Sequence, residues 1–472
     1  MDFLNDWLEH PNYWFHQNND IDNYLTKNYE YLFDYEWDNS IDNIKYHLTF
    51  IIIYDQLCRH IYRNQLANHI ISYYLQKALI IHKFIEDNYN IYDKFSGIEW
   101  MFWGLPIRHS NCKFSIMSLM QKTWNKLKTT NNDNCIKYLK KFLIASYQRI
   151  PISQHNLIEY FPNKIKGTLE YISVFNPILD FYTNEFNYNK KLIIDNYFKL
   201  FIEKYKINKF ILSLSGGVDS MLCSFIMKRM NINFCAVYID YCNRKDDEAN
   251  FVISWCKFIQ IPLYVRSIRE IQREPSKTFN LRNIYESYTR NVRYQCYKDI
   301  WNEMGELNEP YVILGHNQDD CFENILTNIC HQHKYENLEG MTQLMNLEGI
   351  YFCRPILSVS KSLIYKEARL IGIPYLKDST PLFCQRGQIR DSVRPTINKW
   401  DNRFIPSMFQ LSNIMKENDI FKQMLVNKWN IQTNKNYDCY TLSLTYEDIS
   451  IITSSTLWKS YLLSIGITIT QK

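Results

Sequence analysis

An apolar run, Phe210-Ile211-Leu212-Ser213-Leu214, passes directly into Ser215-Gly216-Gly217-Val218-Asp219-Ser220 and then into the helical stretch Met221–Met230. No other feature restricts the fold as far. It demands a buried strand whose carboxyl end opens, through a Ser/Gly loop, onto a helix N-terminus. Such a loop is an anion cradle, because glycine lets backbone N–H groups approach phosphate and the helix dipole favours negative charge. Ser215 and Ser220 bring hydroxyl donors, and Asp219 brings a carboxylate that holds a metal ion or pins the loop. A Ser- or Asp-capped turn is the plainer reading of an isolated Ser-Gly-Gly; the whole six-residue string in this setting points to a nucleotide. The Walker pattern, G-x-x-x-x-G-K followed by Ser or Thr, occurs nowhere.

The surrounding sequence supplies the rest of such a fold. Strands are predicted at Phe210–Leu214, Phe234–Asp240, Leu263–Ile268 and Tyr311–Leu314, with helices near 218–230, 246–260, 284–303, 320–331 and 360–371. That alternation argues for βαβ units and a Rossmann-like parallel sheet over residues 190–400. Glycine use agrees. The chain has only 12 glycines in 472 residues, against an average of roughly 7%. Eight of the 12 fall between 216 and 387, and five of these (Gly216, Gly217, Gly315, Gly340 and Gly387) sit in the strings discussed here, where backbone is expected to approach ligand.

Residues 1–175 read as an all-α domain. From Tyr46 to Arg63, Phe50, Ile53, Leu57 and Ile61 recur at helical steps, and segments 66–88, 113–128 and 135–149 read the same way. Residues 401–472 form a small appendage with a helical stretch and a strand candidate at Thr441–Ile452. No apolar run reaches the ~20 residues of a membrane helix. The 13 cysteines include no C-x-x-C pair, which suits reduced thiols in the cytoplasm, and the acidic start Met1-Asp2-Phe3-Leu4-Asn5-Asp6 is wrong for a secretory or import signal. Residues 1–60 carry 11 acidic and 3 basic side chains, a balance of −8, so a total of +5 leaves +13 on the remainder. That distribution favours a polyanionic partner for the later chain.

The string Ser215–Ser220 resembles the loop of the ATP pyrophosphatase (PP-loop) superfamily, which implies cleavage between the α- and β-phosphates of ATP. Further strings follow in order: Asp240-Tyr241, Tyr285 to Tyr294, Gly315-His316-Asn317-Gln318-Asp319-Asp320-Cys321-Phe322-Glu323-Asn324, Leu338-Glu339-Gly340-Met341, Arg354-Pro355-Ile356-Leu357, Asp378-Ser379-Thr380 and Arg386-Gly387-Gln388-Ile389-Arg390. The series resembles the tRNA(Ile)-lysidine synthetase family over about 205–400. The resemblance implies a ligase using ATP and Mg²⁺. It adenylates the C2 oxygen of the wobble cytidine in an isoleucine tRNA with a CAU anticodon, and the amine of lysine then displaces AMP.

It also implies roles for individual residues. Ser215, Gly216, Gly217, Val218, Asp219 and Ser220 bind ATP, with Asp219 as the Mg²⁺ candidate. Asp219, Arg290, His316, Asp320 and Glu323 are the catalytic candidates, with Asp320 and Glu323 placed to hold the amine. Arg293, Arg386 and Arg390 are candidates to contact RNA or phosphate. Acids at the start of a helix, such as Asp319 and Asp320, also have the plain role of complementing its dipole. The chain departs from the family at Asp240-Tyr241, at Cys321-Phe322-Glu323-Asn324 and at Arg386–Arg390, and the family's tRNA-binding appendage is not recognisable after residue 400. A related tRNA thiolase is a second reading, opposed by the missing C-x-x-C pairs. A degenerate tRNA-binding scaffold is a third, opposed by the intact loop.

The N-terminal strings Asp34–Trp37, Tyr54–Arg63 and Leu105-Pro106-Ile107-Arg108-His109-Ser110 resemble a bacterial helical family of unknown function. The resemblance implies a surface for a protein partner, for self-association or for tRNA. Asp55, Gln56, Arg59, Arg63 and His109 read as a buried network tying helices together, with a ligand site as the alternative.

Overall fold

The computed structural model describes residues 2–14, 18–63, 68–149, 157–160, 178–242, 247–330, 340–377, 385–428, 432–436 and 439–443, with Trp458 and Leu462. They gather into two compact units. One comprises Met1–Ile158, Ile239–Asp246 and Val265–Glu303; the other comprises Glu159–Tyr238, Asp247–Tyr264 and Met304–Lys472.

The first unit is helical. The amphipathic stretch from 46 to 63 is one helix with an inserted π turn: α over Ile44–Ile52, π over Ile53–Leu57 and α again over Cys58–Tyr62. Its expected stripe is buried throughout, at Phe50, Ile53, Leu57 and Ile61. Helices Asn68–Asn88, Gly97–His109, Lys113–Thr129 and Asp133–Tyr147 pack with it around fully buried Trp100, Trp103 and Trp124. Helix Gly97–His109 starts at a capping box, in which Ser96 and Glu99 satisfy each other's backbone N–H groups. Asp55 pairs with Arg59 as the four-residue spacing predicts, whereas Arg63 turns to Asp22, 3.7 Å away. The tyrosine-rich helix Arg282–Glu303 belongs to this unit as well.

The strands are β1 Leu157–Tyr160, β2 Leu179–Phe181, β3 Lys209–Ser213, β4 Asn233–Asp240, β5 Leu263–Ser267, β6 Tyr311–Ile313, β7 Leu344–Leu347, β8 Ile350–Cys353 and β9 Tyr375–Leu376. The main sheet has the order β1-β5-β4-β3-β6-β8-β7, and β2 pairs with β9 separately. β3 runs parallel to both β4 and β6, β6 runs parallel to β8, and β7–β8 is an antiparallel hairpin. Helices Val218–Arg229, Asp247–Ile259, Gln318–Cys330 and Lys361–Ile371 occupy the expected positions. The central strands β3 and β4 are almost wholly buried, as a sheet covered on both faces requires. The chain is therefore helical at its N-terminal end and Rossmann-like in its parallel sheet.

The order of strands positions the site. From β3 the chain moves one way to β4 and β5, and it returns on the other side as β6. The carboxyl ends of β3 and β6 flank a topological switch point, where an open α/β sheet forms a ligand crevice. Beyond the sheet, helix Phe404–Lys428 packs Ile405 and Met408 against Phe322, Ile325 and Ile389. A hairpin of Gln432–Asn436 and Cys439–Ser443 follows, so the expected strand at Thr441–Ile452 is described only through Ser443.

Candidate functional site

The Ser/Gly loop lies between the end of β3 and the first turn of helix Val218–Arg229. Gly216 has φ +80, a left-handed conformation that favours glycine, and a Cβ there would lie 2.6 Å from Leu376 Cδ1. Ser220 Oγ donates to the Gly217 carbonyl at 3.0 Å and accepts from the Ser215 N–H at 3.1 Å, with Ser215 Oγ 3.1 Å away. Both hydroxyls thus sit within the turn that they stiffen, at the positive end of the helix.

The loop after β6 presses on this turn. A Cβ on Gly315 would lie 2.9 Å from Asp219 Cβ and 3.1 Å from the Ser220 nitrogen. Two residues on, the Asn317 side chain donates to Asp219 Oδ1 at 3.0 Å and accepts from the Asp319 N–H at 2.9 Å. Asp320 Oδ2 accepts from the Asn317 N–H at 3.0 Å, completing a reciprocal cap on helix Gln318–Cys330. Asp320 therefore fills the plain capping role and also stands beside Asp219.

Two cations that sequence reasoning missed complete this cluster. Lys361 Nζ donates to Asp219 Oδ2 at 2.5 Å, and Arg394 pairs with Asp319. Burial pulls the Lys361 ammonium down, but Asp219 more than offsets it and Lys361 is held above the ordinary lysine range. Burial pushes the Asp219 carboxyl up, and the nearby Asp320 adds to that push. Both Asp219 oxygens are engaged, and no group of three or more His, Cys, Asp or Glu forms a metal site among the described residues. These residues do not fit a protein-held Mg²⁺.

Glu323, one turn beyond Asp320, is 3% exposed. Its Oε1 accepts from Arg390 Nε at 2.9 Å, while its Oε2 is buried without a hydrogen-bond partner. Burial raises the Glu323 carboxyl above its ordinary range against the pull of Arg390. An orphan carboxylate oxygen is costly and is ready to accept from an ammonium. Arg390 itself rides on a second π turn, Ile389–Val393, and Arg386 stands exposed one turn before it. His316 Nδ1 accepts from Arg354 Nε at 3.0 Å, and Arg354 Nη1 donates to the Thr342 carbonyl at 2.9 Å.

Asp219, His316, Asp320, Glu323, Arg386 and Arg390 thus all belong to the second unit. Arg290 and Arg293 lie in the first, on helix Arg282–Glu303. Arg290 is exposed; Arg293 is half-buried with its guanidinium 5.7 Å from the Tyr294 ring. Of the motif strings, Asp378-Ser379-Thr380 and Leu338-Glu339 lie outside the described residues. Lys361 carried no signal in isolation, since its meaning comes from contact with a residue 142 positions away.

Residues 190–397 match the family described as the PP-loop domain, and residues 3–158 match one described as a bacterial protein of unknown function, DUF924. A tRNA(Ile)-lysidine synthase of Chlamydia muridarum is 32% identical over 177 residues, 37% of this chain and 52% of that protein. One from Francisella tularensis is 25% identical over 233 residues, 48% of this chain and 56% of that protein. The chain thus spans about half the length of the curated relatives it matches. Among solved structures, the U34-tRNA thiolase NcsA of Methanococcus maripaludis is similar at 14% identity and a TM-score of 0.37, covering 47% of this chain and 78% of that one. The chain carries a PP-loop domain behind a DUF924-type helical region, and over the former it is similar to tRNA(Ile)-lysidine synthases.

Proposed function

We propose that the chain is an ATP-dependent tRNA-modifying ligase of the cytoplasm that joins lysine to a wobble cytidine in an isoleucine tRNA with a CAU anticodon. The observation that carries this reading is the pairing of an anion cradle, Ser215–Ser220, with carboxylates Asp219, Asp320 and Glu323 across the β3/β6 switch point. The cradle suits polyphosphate, and the carboxylates suit an amine.

In the first step the cytidine C2 oxygen attacks the α-phosphorus of ATP and pyrophosphate leaves. The N–H groups of Gly217, Val218 and Asp219 and the hydroxyl of Ser215 hold the departing phosphates, in a turn that the Ser220 hydroxyl braces. Lys361 releases Asp219 to follow that charge. In the second step the lysine amine attacks C2 and AMP leaves. Asp320 and the free oxygen of Glu323 orient the ammonium, and Glu323, its carboxyl raised by burial, takes the proton. Residues 190–400 act as the catalytic domain, and the helical residues 1–175 offer a surface to tRNA or a partner.

The test is to incubate the chain with unmodified tRNA, ATP, Mg²⁺ and an amino-acid mixture, digest the RNA and weigh the nucleosides. A lysine-sized gain on cytidine is expected, with AMP and pyrophosphate released in equal amounts. A sulfur-sized gain, or no turnover with any tRNA, refutes it.

A further inference from the structure

The helical unit holds a group of charges that the reaction above leaves unused. The π turn Ile53–Leu57 turns Asp55 and Gln56 inward, and both are buried. Such turns recur at functional positions in helices. Asp55, with no side-chain exposure, accepts from His109 Nδ1 at 2.8 Å and from Arg59 Nη2 at 3.2 Å, and Gln56 donates to it as well. Burial works to raise the Asp55 carboxyl, but His109, Arg59 and Gln56 outweigh it and hold it below the usual range. Burial pulls His109 down, against the opposing pull of Asp55. Asp55 therefore supplies one negative charge, already shared with Arg59.

Two more guanidiniums stand beside this pair. Arg108, next in the chain to His109, has a buried Nε with no hydrogen-bond partner. Its charge faces the Phe142 ring at 5.7 Å. Arg149 is exposed and donates from Nη1 to the Arg108 carbonyl at 3.5 Å. Among the described residues, no carboxylate comes within ion-pair distance of Arg108 or Arg149. Burial, then Arg149 and to a lesser degree Arg59, push Arg108 down to about 10, against the opposing pull of Asp55. Arg59 thus pairs with the one carboxylate, while Arg108 and Arg149 lie nearby without an acid of their own among the described residues. The buried Arg108 Nε–H costs stability while it has no acceptor, and a ligand oxygen there removes that cost.

We infer that Arg59, Arg108 and Arg149, braced by Asp55 and His109, form an oxyanion-binding site in the helical unit for the phosphate or carboxylate head of a ligand. Planar guanidiniums bind both groups through paired N–H donors. Asp55 and His109 position Arg59, and the anion supplies the missing counter-charge. The site is independent of the Ser/Gly loop, since every residue in it lies between 55 and 149.

Inorganic phosphate and, in parallel, citrate are titrated into the full chain, followed by tryptophan fluorescence and thermal unfolding. The same titrations are run on Arg108→Gln and Arg149→Gln. The expected result is saturable binding by at least one anion, weakened about tenfold or more by either substitution. Without anion, Arg108→Gln is expected to unfold no earlier than the parent, because the change removes an uncompensated charge. Arg149 is exposed, so its variant keeps the fold and the test intact. In crystals soaked with selenate, an anomalous peak is expected among the three guanidiniums. Anion responses identical in the parent and both variants belong to another site and overturn the inference, as does an early-melting Arg108→Gln protein whose anion response is unchanged. Response to phosphate alone or to citrate alone identifies which head group the site takes.

Discussion

Lys361 and Asp219 show how a single contact ties the cradle to the rest of the sheet. Asp219 and Lys361 are 21% and 23% exposed at the side chain, so the ion pair is sheltered but still touched by solvent. Replacing Lys361 with Met leaves a carboxylate crowded by Asp320 and deprived of its cation. A stability loss of about 1–3 kcal/mol is expected, below the range for fully buried pairs. Adding Asp219→Asn to that variant should recover most of the loss, a coupling read by a double-mutant cycle in thermal unfolding. Additive losses would mean that the two side chains do not act on each other. The cationic partners of Asp219 and Asp319, Lys361 and Arg394, were not legible in the sequence. The strings Ser215–Ser220 and Gly315–Asn324 carry their meaning locally, whereas Lys361 and Arg394 acquire theirs from acids 142 and 75 residues away.

Secondary structure was legible where hydrophobic period and loop chemistry agreed. β3, β4, β5 and β6 and their helices lie within about two residues of the expected bounds, because buried parallel strands read as continuous apolar runs. The β7–β8 hairpin was missed. Its two-residue turn uses Glu348 at φ 53 and Gly349 at φ 74, a left-handed pair usually announced by Asn-Gly or Asp-Gly. Both π turns were missed too, since one inserted residue barely disturbs a helical stripe. Asp55 and Arg390 each ride on one. Gly315 offers the sharpest test at the level of elements. Gly315→Ala drives a methyl group into the backbone of the Ser/Gly turn, and a loss of about 1–3 kcal/mol is expected. ATP affinity, measured by equilibrium binding, should fall in parallel. Unchanged affinity would show that the β6 loop does not set the shape of the cradle.

The charge distribution belongs to the whole molecule. The first 60 residues carry a balance of −8 and the remainder +13, so a polyanion such as the proposed tRNA is drawn chiefly by the later part of the chain. Affinity for unmodified tRNA, followed by fluorescence anisotropy, should drop about a hundredfold or more between about 50 and about 200 mM salt, as counterion release requires. A flat response would remove tRNA from the reading while leaving ATP chemistry intact. The helical unit was legible as helical but not as a patchwork, because nothing in residues 265–303 reveals that they gather with residues 1–158.

That patchwork bears on the order in which the chain is made. Tyr147 closes its helix by donating to the Glu270 carbonyl at 3.0 Å and by laying its ring 5.2 Å from that of Tyr288. Both partners leave the ribosome more than a hundred residues after the helices they complete, a delay of about 5–20 s or more at ordinary rates of synthesis. Until then the buried face around Tyr147 has no cover, and the usual rule that the leading domain folds first does not hold for this chain. A nascent chain halted near residue 160 should therefore be a client for chaperones, and the helical unit becomes final only when the sheet that interrupts it has been threaded.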